Sequence, residues 1–106
     1  MLIIKKTAKA QGLRPEMDLA VQVINDCFAH WGYDCVITEI TGSKHGRGSL
    51  HYVGQAIDFR VNNIHGIDRE KIVAKIKENL NDQYDVILEE YSNSANDHIH
   101  CEFQPK

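Results

Sequence analysis

Between Pro15 and Trp31 the apolar residues Met17, Ala20, Val21, Ile24, Cys27, Phe28 and Trp31 return at steps of three and four, with polar residues between them. That period places them on one face of an α-helix. Its ends carry matching signals. Pro15 suits the first helical position, Glu16 and Asp18 complement the positive end of the helix dipole, and Gly32 accepts the left-handed conformation that stops a helix. The pattern predicts a helix over 15–31. Residues 33–41, YDCVITEIT, are rich in β-branched side chains and predict a strand running into the polar, glycine-bearing loop TGSKHGRGS. In QAIDFRV the residues alternate, Ile57, Phe59 and Val61 to one side and Ala56, Asp58 and Arg60 to the other, as a strand requires.

A second helix is predicted over about 69–80, with Asp68 as N-cap, Ile67 stapled against Ile72, and Ile72, Val73, Ile76 and Leu80 as its buried stripe. YDVILEEY then reads as a strand, SNSAND as a polar loop, and HIHCEF as a last strand. In that last strand Ile99, Cys101 and Phe103 form the core face and leave His98, His100 and Glu102 on the other. The order helix, strand, strand, helix, strand, strand predicts an α+β domain with helices packed on one face of a largely antiparallel sheet.

Length limits this to one domain over 1–106, with one core for every functional group to share. A formal charge of -3 lacks the basic face that nucleic acid demands, and no segment has the apolar length of a membrane span. Neither partner is expected, and the chain is expected to be a monomer. The opening MLIIKKTAKAQ has an apolar run of four residues followed by lysines, the wrong order and length for a secretory signal, so the expectation is a protein that stays in the cytoplasm where it is made. Cys27, Cys35 and Cys101 are odd in number and show no CxxC spacing, so they predict neither a disulfide framework nor a zinc knuckle.

The candidate chemistry lies in the second half. Asp58 and the pair His98 and His100 occupy polar strand faces, and His51 stands seven residues before Asp58 with Gly54 and Ala56 between. A hydrolytic zinc site takes three ligands from His, Asp and Glu and keeps a fourth position open. His51, Asp58 and His100 supply such a set if the two strands are neighbours. Gly54 lets the chain fold back and Ala56 leaves room above the sheet. On spacing alone this stands beside an ordinary reading, in which His51 and His98 are surface histidines and Asp58 is a satisfied strand carboxylate.

SLHYVGQAID, residues 49–58, resembles the SxHxxGxAxD motif of the zinc D-alanyl-D-alanine peptidases, the LAS group that includes the vancomycin-resistance carboxypeptidases, and HIHC resembles their closing HxH. The same two pieces are similar to those of the hedgehog N-terminal signalling domain, which shares that fold and zinc site. The resemblance implies a hedgehog/DD-peptidase-like fold, zinc held by His51, Asp58 and His100, and Ser49 as a substrate contact. It implies a peptidase acting on the stem peptides of bacterial peptidoglycan, as a carboxypeptidase or an endopeptidase. In the peptidases a carboxylate three positions before the last ligand takes a proton from the water that the metal activates, and here that position is Asp97. Asp97 must then sit just before the strand proper, because in a regular strand it would face away from His98 and His100. Glu90 is the rival base, by analogy with hedgehog domains, and His98 is expected to stabilise the developing oxyanion.

The sequence departs from the peptidase pattern at one point. The arginine that usually precedes SxH and grips the substrate carboxylate has no counterpart, and Lys44 and Arg47 are the nearest cations. His45 stands six residues before His51, as a groove histidine does in hedgehog domains. The alternative reading is a non-catalytic hedgehog-like zinc-binding interaction domain. A murein hydrolase made without an export signal is expected either to be phage-encoded, reaching the wall after release, or to belong to a larger system.

Overall fold

The computed structural model describes residues 1–5, 15–41, 56–90 and 97–103. Among these the elements run β1 (Leu2–Ile4), α1 (Pro15–His30), β2 (Cys35–Thr41), β3 (Ala56–Arg60), α2 (Gly66–Asn79), β4 (Tyr84–Glu89) and β5 (His98–Phe103). They form an α+β unit of two helices and a five-stranded sheet in the order β1-β2-β3-β5-β4.

Helix α1 follows its sequence signals closely. Met17, Ala20, Val21, Ile24, Cys27 and Phe28 are its buried residues. It ends where Gly32 adopts a φ of 82°, with the Gly32 N–H donating to the Ala29 carbonyl at 2.9 Å and the Tyr33 N–H to the Phe28 carbonyl at 3.0 Å. These two bonds satisfy carbonyls that the last turn leaves without helical partners.

Helix α2 corrects the expected start. It begins at Gly66, with His65 rather than Asp68 as the N-cap residue, and the His65 side chain makes no capping bond. The His65 carbonyl instead accepts the N–H groups of Asp68 at 2.9 Å and Arg69 at 3.2 Å. Asp68 is taken up elsewhere, since its Oδ2 accepts the Tyr33 hydroxyl at 2.7 Å. The expected staple fails for the same reason. With residue 67 already inside the helix, Ile67 lies five positions from Ile72, well round the cylinder, and is 72% exposed while Ile72 is fully buried. The predicted stripe of Ile72, Val73, Ile76 and Leu80 is buried, and Arg69 joins it.

Strand β1 was not legible in the sequence. Its three residues are all exposed and show no alternation, and among the described residues its only partner is β2, parallel, with Leu2 opposite Cys35. The other pairings are antiparallel. Strand β2 carries a bulge: Ile37 faces Phe59 but Glu39 faces Asp58, so Thr38 is the extra residue, and its Oγ1 donates to the Asp58 carbonyl at 3.3 Å. The bulge lets Ile37 and Ile40, three positions apart, both turn toward the core.

One face of the sheet and both helices share a single core. Phe59, Ile57 and Val61 from β3 and its end, Ile99, Cys101 and Phe103 from β5, and Val86 from β4 pack with the buried faces of α1 and α2. The sheet's other face carries Asp58, His98, His100 and Glu102, as the two-residue period of β3 and β5 requires.

Candidate functional site

Two of the three expected metal ligands meet on this second face. Strands β3 and β5 are hydrogen-bonded neighbours, and their register sets Asp58 directly opposite His100. Cross-strand partners in such a pair point to the same side with their Cβ atoms about 5 Å apart. Asp58 Oδ1 and His100 Nδ1 close to 2.8 Å. The other imidazole nitrogen, Nε2, is 3.2 Å from Glu102 Oε1, so His100 is held between two carboxylates. The hydrogen bond to Asp58 pushes the His100 imidazole up to about 9, against the opposing effect of burial, and Glu102 adds to the rise.

His98 occupies the next row of the same face, opposite Arg60 on one side and Glu89 on the other. Its Nε2 is 3.2 Å from Glu89 Oε1 and 3.9 Å from Asp58 Oδ2. The four inner side chains keep little contact with solvent: Asp58 and His98 are 19% exposed, His100 25% and Glu102 17%. In such partly withdrawn surroundings a charge interacts more strongly than it does in open water. Cys101 lies between the two glutamate and histidine positions in sequence, but alternation turns it into the core, and burial pushes its thiol up to about 12. It packs there as a small apolar residue.

Asp97 stands immediately before β5, where the catalytic reading of the sequence requires it. It is 4% exposed, and its Oδ2 accepts Arg69 Nη1 at 2.7 Å. The same Nη1 donates to Glu90 Oε2 at 3.0 Å, and Arg69 Nε donates to the Ile64 carbonyl at 3.1 Å. Both carboxylates proposed from sequence as the base are therefore gripped by one buried guanidinium. Arg69, Glu89 and Glu102 are the contributors that sequence reasoning did not single out for the site. A signal for Arg69 was present: positions 69, 72, 73 and 76 share one helical face, and three of them are isoleucine or valine.

His51, Ser49, His45, Lys44 and Arg47 lie outside the described residues. Among the described residues no group of three or more His, Cys, Asp and Glu is arranged to hold a metal ion. The pair of Asp58 and His100 fits zinc in kind and nearly in spacing. Zinc bonds to oxygen and nitrogen of about 2.0–2.2 Å, set at a tetrahedral angle, separate two donors by roughly 3.3 Å, so the 2.8 Å contact needs to open by about half an ångström. Glu102 behind His100 matches the habit of metal-bound imidazoles, whose second nitrogen donates to a carboxylate.

Among the described residues no helix is long and apolar enough to cross a membrane. No protein-family model matches the chain, and no curated protein and no solved structure does either.

Proposed function

We propose that the chain is a zinc metallopeptidase of the D-alanyl-D-alanine peptidase type, with a hedgehog/DD-peptidase-like fold, which hydrolyses peptide bonds in the stem peptides of bacterial cell wall. The observation that carries the reading is the meeting of Asp58 and His100 at 2.8 Å across β3 and β5. The aspartate ends one motif and the histidine ends the other, and 42 positions of chain separate them. In this reading His51 completes the ligand set. When bound, zinc supplies Lewis acidity toward the scissile carbonyl and toward a water molecule. Asp97 receives the proton from that water and returns it to the leaving amine. His98, backed by Glu89, donates a hydrogen bond to the oxygen on which negative charge develops. Ser49 and His45 touch the substrate, and Lys44 and Arg47 take its carboxylate in place of the missing arginine.

A second reading has one observation in its favour. Both Asp97 and Glu90 already neutralise Arg69, as carboxylates with a purely structural task would. A zinc-held interaction domain of hedgehog type fits that arrangement.

Digestion of purified peptidoglycan, with and without a chelator and with zinc restored, separates the two when the products are identified by mass. The peptidase releases amino acids or shortened peptides only in the zinc-containing samples. Zinc-loaded protein that cleaves no wall fragment supports the interaction domain. Metal content far below one ion per chain, in protein purified without chelator, removes zinc from both readings.

A further inference from the structure

We infer that Arg69 is a positioning residue that fixes the carboxylate of Asp97, and that Glu90 serves as the outer counter-ion of this guanidinium rather than as the base. This rests on the peptidase reading. Arg69 springs from the first turn of α2 and is 9% exposed, so its charge stands in the interior and requires partners there. Three are present: the Ile64 carbonyl, Glu90 Oε2 and Asp97 Oδ2. Glu90 directly follows β4 and Asp97 directly precedes β5. The guanidinium thus bolts both feet of the β4–β5 connection to the helix.

The two carboxylates are not equivalent. The Asp97 contact is the shorter, 2.7 Å against 3.0 Å, and its carboxylate is 4% exposed where that of Glu90 is 53% exposed. Asp97 is also held by its backbone, because its carbonyl accepts the Val61 N–H at 3.3 Å just past the end of β3. An aspartate at the end of a polar loop has several rotamers of similar energy. Anchoring Oδ2 and the carbonyl together restricts that choice and holds the carboxylate at the start of β5. Proton transfer needs that placement, since a base must lie within hydrogen-bond reach of the proton it takes. Arg69 touches neither Asp58 nor His100, so its effect on turnover is separable from any effect on metal binding.

The test uses the full zinc-loaded chain, soluble muropeptides as substrate, and zinc affinity measured by chelator competition. Arg69→Gln is expected to lower kcat by about 10- to 100-fold, a part of what a general base contributes, with KM and zinc affinity within about twofold of wild type. The double variant Arg69→Gln/Asp97→Asn is expected to lose no more than Asp97→Asn alone, because Arg69 acts through Asp97. A merely structural arginine gives losses that multiply. If Arg69→Gln does not fold, Asp97→Asn against Glu90→Gln decides: the first is expected to cost at least about tenfold more turnover. Wild-type turnover in Arg69→Gln, multiplying losses in the double variant, or the reverse order of Asp97 and Glu90 overturns the inference while leaving the peptidase reading intact. A zinc-loaded wild type that cleaves nothing overturns both.

Discussion

His100 and Asp97 show how far a single side chain's surroundings determine what it can do. In metal-free protein the His100 imidazole is raised from its ordinary value of 6.5 to about 9 by Asp58, with Glu102 assisting. The folded state then holds a proton that the unfolded state releases, so this group's contribution is complete below about 6.5 and disappears as pH rises through about 9. Urea unfolding in the presence of a chelator is expected to show a midpoint that falls across this window, and His100→Gln should flatten that part of the profile. The same proton competes with a metal for Nδ1, so zinc affinity should rise with pH over the same range. Asp97 illustrates the opposite case, a carboxylate whose loss uncovers a charge. Asp97→Ala removes the closer partner of a buried guanidinium and is expected to cost about 3 kcal/mol in denaturant unfolding, somewhat less if Glu90 draws in. Asp97→Asn keeps an acceptor for Arg69 and should cost less, which makes it the cleaner probe of catalysis.

At the scale of elements, local pattern and tertiary demand agree in some places and part in others. Helix α1 was legible to within a residue because its apolar period, its first-turn acids and Gly32 all point the same way. Gly32 has space around it, with nothing within 4 Å of an added Cβ, so Gly32→Ala tests backbone conformation alone. Its φ of +82° predicts a loss of about 1–2 kcal/mol, read as a lower thermal midpoint with an unchanged far-ultraviolet spectrum. Helix α2 departed from its local signals because Tyr33, 35 positions away, claims the carboxylate of Asp68 that would have capped it. Strand β1 offered only two β-branched residues in a run of three with no alternation of burial, and among the described residues its ladder runs with β2.

For the whole molecule, the proposed zinc is a staple between segments distant in sequence. Asp58 and His100 are already in register through the β3–β5 ladder, and His51 would bring the preceding segment to them. An ion that binds the folded chain alone stabilises it by mass action, about 2.7 kcal/mol when free zinc is 100 times its Kd. The chelated protein is therefore expected to melt lower than the zinc-loaded one, by several degrees for a domain of 106 residues. His51→Ala should erase the difference. An unchanged melting temperature on adding zinc to chelated wild type would sink the metal centre.

The sequence by itself determined which residues of α1, β3 and β5 face the core and which face away, because a side chain's direction along a regular strand or helix follows its position in the repeat. Asp58, His98, His100 and Glu102 could be put on one kind of surface for that reason, and Asp97 just outside the strand. Only the tertiary structure decided that β5 inserts between β3 and β4, that Asp58 lies opposite His100, and that Arg69 reaches both Glu90 and Asp97. Pairing between strands depends on how the whole core packs, and a buried ion pair depends on which charges that packing leaves within reach, so neither is written in any local period.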